Sequence, residues 1–274
     1  MRKPTLTHKT RSGPSMAVLK SAREIELMRA AGRIVHQVHE RMREQVRPGI
    51  QVAELNRLAE EVIRSKGGVA LFKGVTSPAT RFPFPAAICA SVNEQVVHGI
   101  PDDRVLVEGD IISVDCGVRL KGYCGDAATT LRVGQVEPEA NRLLKVTSEA
   151  LALALDEMRP GRLWSEIGGI IQKHVESSGF SVVREFVGHG IGQEMHEEPK
   201  VPNYTDRQQR NQDFRMEPGL VIAVEPMVNA GSREVTTGDS TGWPQVTKDG
   251  SLSAHFEHTV AITSDGIDIL TDGR

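Results

Sequence analysis

Gly109-Asp110-Ile111-Ile112-Ser113-Val114-Asp115 and Gly219-Leu220-Val221-Ile222-Ala223-Val224-Glu225 decide the reading of this chain. Each is a turn glycine followed by a short apolar-rich run that ends in an acid. A carboxylate closing such a strand is costly to bury unless something compensates its charge. After each run a turn leads to a return segment with a second acid. In the first copy Lys121-Gly122 precedes Gly125-Asp126-Ala127-Ala128-Thr129-Thr130; in the second Lys248-Asp249-Gly250 precedes His255-Phe256-Glu257-His258-Thr259. Turn residues between strand-like runs predict two hairpins, with Asp126 and Glu257 as the second acids of each.

The likeness extends upstream. Arg47-Pro48-Gly49, running through Glu54 to Ser65-Lys66-Gly67, matches Arg159-Pro160-Gly161, running through Glu166 to Ser177-Ser178-Gly179. Each copy follows a long amphipathic helix. The first opens on Ser21-Ala22-Arg23-Glu24, a capping-box pattern. It carries Ile25, Met28, Val35, Val38, Met42 and Val46 at helical spacing and stops at Arg47-Pro48-Gly49. Its counterpart covers residues 138–158. A shorter helix bearing Leu55, Leu58, Val62 and Ile63 ends at Gly67-Gly68. A His-Gly-Ile follows each helix pair, at His98 and His189. The chain therefore reads as helix, helix, strand hairpin, and the same again. Each half has one apolar sheet face and helices on one side only, so the halves are expected to share one core. The predicted class is α+β: a curved, mostly antiparallel sheet with pseudo-twofold symmetry, helices on its convex face, and the acids meeting on the concave face near the axis.

The chain has 274 residues, 39% hydrophobic and 25% charged, with a net charge of −3. That composition suits a soluble globular protein and excludes a dominant basic surface for nucleic acid. No apolar run is long enough to span a bilayer. Cys89, Cys116 and Cys124 are odd in number and lack zinc-knuckle spacing, so free thiols in a cytoplasmic setting are expected. Residues 1–18 are basic and hold no acid. They are expected to be a disordered tail, either a plain extension or an arm touching an acidic partner such as ribosomal RNA. Residues 19–274 then form a single domain made of the two halves.

Strand alternation sets the chemistry. If Asp115 faces the cleft, Val114 and Cys116 face the helices; Glu225 and Val224 divide in the same way. Taken singly, each acid could be a solvated strand end and each histidine a loop residue. The doubled pattern instead favours a metal site built from Asp115, Asp126, Glu225, Glu257 and His189, with His98 and His196 nearby. An oxygen-rich set without thiolates suits Mn²⁺, Fe²⁺ or Co²⁺ better than a structural zinc. Four carboxylates exceed the need of one ion, so two divalent ions ~3.5–4 Å apart are expected, a pair that acidifies water and polarises a carbonyl.

Together these segments resemble the type I methionine aminopeptidases. The likeness rests on Asn93-Glu-Gln-Val-Val-His98-Gly-Ile-Pro-Asp102, Asp115-Cys-Gly117, Gly125-Asp126-Ala-Ala-Thr129, Gly188-His189-Gly-Ile-Gly192, Met195-His196-Glu-Glu-Pro199, Glu225-Pro-Met227 and Phe256-Glu257-His-Thr259. It runs from about Leu19 to Leu270 and implies the pita-bread fold. It also implies that Asp115 chelates one metal, Asp126 and Glu257 bridge two, and His189 and Glu225 hold the other, with Zn²⁺ a further possible metal. Glu225 would shuttle the proton of the attacking water, His196 would donate to the developing oxyanion, and His98 would contact the amide on the leaving-group side. The implied substrate is a nascent polypeptide N-terminus with methionine before a small residue, and the implied enzyme a cytoplasmic monomer. The methionine pocket would use Cys89, Phe84, Met195 and Trp243. Met195 replaces a frequent aromatic, Phe stands where Tyr is usual in Thr80-Arg-Phe-Pro-Phe-Pro85, and His255 replaces a common Gln. His255 is expected either as a hydrogen-bonding partner behind the metal ligands or as a surface histidine. Two alternatives share the fold. Peptidases of the aminopeptidase P and prolidase kind usually carry a sizeable extra N-terminal domain, whereas only residues 1–18 precede the fold here. A metal-free pita-bread binding protein would lack ligands that this chain retains.

Overall fold

The computed structural model describes residues 17–274. Most of the expected tail, residues 1–16, lies outside the described residues. Ala17 packs against the core of the second half, while Val18 is exposed. Four helices follow the predicted pattern closely: α1 (Ala22–Gln45), α2 (Val52–Ser65), α3 (Pro138–Glu157) and α4 (Trp164–Ser177). The capping box at Ser21 forms, with Ser21 Oγ accepting from Glu24 N and the Glu24 carboxylate accepting from Ser21 N at 2.7 Å. Helix α1 stops where Val46 turns extended ahead of Pro48 and Gly49. Neither α2 nor α4 has a capping side chain of its own. Distant chain satisfies their first-turn amides instead. Val52 N and Ala53 N donate to Arg104 O and Asp102 O, and Trp164 N and Ser165 N donate to Phe214 O and Asp213 Oδ1. The repeat thus extends to the way each short helix is started.

In the first half Ile111–Leu120 lies between Tyr123–Arg132 on one edge and Cys89–Val92 with Val69–Ala70 on the other, every pairing antiparallel. Lys121 and Gly122, both at positive φ, close the hairpin as expected. In the second half Val221–Val224 pairs with His258–Ile262 and Gly188–Gly190. The second hairpin departs from expectation. Glu225-Pro226 interrupts the outgoing strand, because proline brings no amide to the ladder. Met227–Asn229 then pairs with Ser253–His255 in a separate sheet. Lys248-Asp249-Gly250 does not close this hairpin. Residues 230–252 leave it as an excursion in which Val235–Thr237 pairs with Gln245–Thr247, and the latter reaches across to Gln95–Val97 of the first half.

The core also differs from a single shared one. Side chains of α1 and α2 enclose Ile112, Val114, Cys116 and Val118 in one cluster, and those of α3 and α4 enclose Ile222, Val224, Val228 and Val260 in another. A small third cluster joins the halves through Met28, Cys124, Ile191, Val221, Ala261 and Leu270. Each helix pair covers mainly its own sheet face, while Met28 of α1 packs with Val221, Ala261 and Leu270 of the second half and Ile111 of the first half joins the cluster of α3 and α4.

The two return strands meet side by side at the centre. Thr259 Oγ1 accepts from Asp126 N at 3.0 Å and donates to Asp126 O at 2.7 Å. Thr130 Oγ1 does the same for His255, accepting from its N at 2.8 Å and donating to its O at 2.9 Å. Between them Glu257 N donates to Ala128 O at 2.9 Å. This self-complementary pattern defines the local twofold axis. Thr130 corresponds to Thr259, Ala128 to Glu257 and Asp126 to His255. The ladders agree, since Asp126 lies opposite Gly117 as His255 lies opposite Met227. Asp126 and Glu257 are therefore not corresponding acids. They stand two residues out of register with each other about the axis.

Candidate metal centre

The acids sit on strand ends and return strands, held by backbone rather than by mobile loops. Asn203, fully buried, donates from Nδ2 to Glu225 O at 2.9 Å and fixes the point where the outgoing strand breaks. His189 lies on the short strand Gly188–Gly190. A Cβ on Gly188 would collide with Ala223 O, and one on Gly190 with Glu198 O, so the flanking glycines let that strand press against both neighbours. His189 Nδ1 faces Gly190 O at 2.9 Å, which assigns the proton to Nδ1 and leaves the Nε2 lone pair aimed at the acids.

Asp115, Asp126, Glu225, Glu257 and His189 line one cavity of ≈ 520 Å³ together with His98, His196, Cys89, Phe84, Met195 and Trp243. Every site residue read from the sequence is brought to this one place. Ligand atoms of Asp126, His189 and Glu257 lie within 4.8 Å of one another, and so do those of Glu225, His255 and Glu257. Glu257 belongs to both groups. Asp115 belongs to neither, but the charge of neighbouring Asp126 adds to burial in raising its carboxyl. His189 Nε2 is 3.5 Å from Glu225 Oε1.

The electrostatics are severe. Burial, then repulsion from neighbouring acids, pushes the carboxyls of Asp115, Glu225 and Glu257 well above the usual carboxylate range. Burial raises Asp126 to about 7. The same burial holds His189 and His98 down to about 4, so both rings are neutral near pH 7. Buried Asp115 Oδ1, Asp126 Oδ1, Glu257 Oε1 and His255 Nε2 have no hydrogen-bond partner. Orphaned acceptors converging on one point, with carboxylates that resist ionising alone, are what divalent cations would satisfy, and the residues present fit that group.

Another part of the lining is apolar. Phe72, Phe84, Ala86, Cys89 and Trp243 form a separate cluster with Met195 packed on it. Phe84 meets Trp243 edge to face at 5.1 Å, and Trp243 Nε1 donates to Phe82 O at 2.8 Å. Burial raises the Cys89 thiol and keeps it neutral. His98 holds φ +60, a costly conformation for a residue with a Cβ, and stands edge-on to Phe186 and Trp243. His196 sits at the exposed mouth, its ring 4.4 Å from that of His189.

Three groups were missed or misread in the sequence. Phe72 and Phe186 line the cavity, but neither stands in a motif that marks it. Thr130 and Thr259 anchor the two return strands; a Thr in both return segments was the available signal. His255 is not a surface histidine, since it is 2% exposed and lies 3.6 Å from Glu225 Oε2.

A centre of this composition, on this twice-repeated scaffold, places the chain in a known class. It belongs to the family described as Metallopeptidase family M24, which matches residues 26–264. Within it the similar curated proteins are methionine aminopeptidases. Methionine aminopeptidase 1 of Bacillus subtilis is 49% identical over 93% of this chain and 99% of that protein, and the Clostridium perfringens enzyme is 47% identical over the same shares. The crystal structure of the Thermotoga maritima methionine aminopeptidase superposes with a TM-score of 0.87 at 39% identity, covering 93% of this chain and 99% of that one. The fold is the pita-bread fold. Prolidase from Pyrococcus furiosus shares it at a TM-score of 0.71 and 21% identity, and this chain spans 66% of that one. No helix among the described residues is long and apolar enough to cross a membrane.

Proposed function

We propose that this chain is a metal-dependent hydrolase that removes the N-terminal methionine from nascent polypeptides whose second residue is small. The observation that carries the reading is one cavity with two unlike linings: buried, unsatisfied carboxylates and an imidazole, and an apolar cluster of Phe84, Cys89 and Trp243 with Met195 packed on it. Asp115, Asp126, His189, Glu225 and Glu257 would hold two divalent ions, Mn²⁺, Fe²⁺ or Co²⁺ first, with Zn²⁺ admissible. When bound, such a pair supplies an acidified water and a polarised carbonyl. Phe84, Cys89, Met195 and Trp243 receive the methionine side chain and exclude water around it. Met195, unbranched and adaptable, makes that wall more compliant than an aromatic would. Glu225 takes up a proton from the attacking water and delivers it to the leaving amine. His196, at the mouth, donates a hydrogen bond to the developing oxyanion, and His98 contacts the amide beyond the scissile bond.

In this reading the enzyme works as a cytoplasmic monomer, and the basic tail of residues 1–18 suits contact with ribosomal RNA. The test is methionine release from Met-Ala-Ser and Met-Leu-Ser after chelation and add-back of each metal. Release from the first and little from the second is expected, with none before add-back. Equal release from both peptides would refute the small-residue requirement, and full release after chelation would refute the metal centre.

A further inference from the structure

His255 is the one buried ring at the centre for which the five-ligand scheme has no use. Its Nε2 is 3.6 Å from Glu225 Oε2 and 3.9 Å from Glu257 Oε2. Both separations are too long for a hydrogen bond, and the atom has no partner at all. Two donors that bind one ion at about 2.1 Å lie about 3.0 Å apart when adjacent in an octahedron and about 4.2 Å when opposite. The separations of His255 Nε2 from the two carboxylates fall inside that interval. The 3.5 Å between His189 Nε2 and Glu225 Oε1 falls there as well.

The fold gives a second, independent reason. Thr130 grips the backbone of His255 by the same pair of hydrogen bonds with which Thr259 grips Asp126. His255 therefore occupies the position that corresponds, about the local twofold axis, to a proposed metal ligand. The backbone that aims Asp126 at the centre from one half aims His255 at it from the other.

We propose that His255 Nε2 is a sixth protein ligand, joining Glu225 and Glu257 around one ion, so that the centre has two imidazoles rather than one. This rests on the dinuclear reading above and deepens it. A second imidazole replaces a water on that ion without adding charge, and it shifts that site's preference toward metals that favour nitrogen donors.

The experiment counts imidazoles. The intact protein, loaded with two equivalents of Co²⁺, is examined by proton NMR for ring signals strongly shifted by the paramagnetic ion. Metal affinity is measured by calorimetry, and both measurements are repeated on His255→Gln. Two shifted histidine rings are expected in the wild type and one in the variant. One of the two cobalt affinities should also fall by more than about 100-fold, beyond the roughly 10–100-fold that losing an outer partner costs. The wild-type count needs no variant, so it stands even if His255→Gln folds poorly. A single shifted ring in the wild type would overturn the proposal while leaving the dinuclear centre intact. A wild-type protein that binds no cobalt would overturn the centre itself, and this inference with it.

Discussion

Thr259→Val is the substitution that most directly tests how the scaffold holds the centre. The change keeps the side chain's shape and removes one oxygen. In the wild type that oxygen accepts from Asp126 N at 3.0 Å and donates to Asp126 O at 2.7 Å, in a side chain with no exposure. Valine leaves a backbone donor and a backbone acceptor facing a methyl group where water does not reach. Each buried group stranded in this way costs about 1–3 kcal/mol, so the pair predicts a loss of about 2–6 kcal/mol. That is a large share of the roughly 5–15 kcal/mol that holds a typical protein folded. Thr259→Ser keeps both bonds and gives up one buried methyl, for about 1 kcal/mol. Urea unfolding of the metal-free variants measures both losses. The valine variant should also bind Mn²⁺ more weakly, because Asp126 loses the contact that sets its backbone, whereas the serine variant should bind nearly as the wild type does. A valine variant no less stable than the serine variant would show that the hydroxyl is worth no more than the methyl here, and the account of the axis would be wrong.

Glu225→Ala should abolish methionine release with metal present, while Cys116→Ala, buried among the helices of the first half, should keep it; a Glu225→Ala protein near the normal rate would defeat the proton-transfer assignment. The metal-free protein should show a definite pH signature. Asp126 rises from an ordinary 3.8 to about 7, so its stabilising contribution is complete below its unfolded value and is lost as pH climbs through the folded one. The buried histidines have lowered values and act in the opposite sense, so the effect is read as a difference. The stability of Asp126→Asn relative to the wild type should grow between about pH 4 and pH 7, and a gap that stays constant would refute it. Trp243→Ala removes the edge-to-face partner of Phe84 and opens the apolar wall, so release from Met-Ala-Ser should fall through a raised KM more than through kcat; an unchanged KM would remove Trp243 from the pocket.

Much of this was legible because burial imposes period. Asp115 and Glu225 end runs whose alternate residues had to face helices, and Val114, Cys116 and Val224 do face them. The capping box at Ser21, the stop at Arg47-Pro48-Gly49 and the Lys121-Gly122 turn are local signals that local physics honours. The second hairpin was not legible in the same way. Lys248-Asp249-Gly250 is a genuine turn signal, but a turn does not say which strand precedes it. Pro226 had already broken the ladder and sent residues 230–252 across to the first half. Cavity walls such as Phe72 and Phe186 come from segments with no period of their own. What makes them functional is where the rest of the chain delivers them.

The axis explains why a symmetric fold carries an asymmetric centre. About it, Asp115 and Glu225 are alike in origin, each closing the outgoing strand of its half. The return strands are not alike. One half places Asp126 and Ala128 at the positions where the other places His255 and Glu257. Ala128 leaves room at the axis, and the carboxylate of Glu257 belongs to both groups of ligand atoms. Were both positions acids, one more like charge would crowd an interior already too poor in solvation to ionise the four present. Were both alanine, the one carboxylate common to both groups of ligand atoms would be lost. The asymmetry of the candidate centre thus turns on one return strand supplying Glu257 at a position where the other has only Ala128. Ala128→Glu tests that logic: a carboxylate on each side of the axis should raise the apparent pKa values of the group further and weaken metal-free folding at neutral pH. A stable, fully active variant would show that the room at Ala128 is not needed.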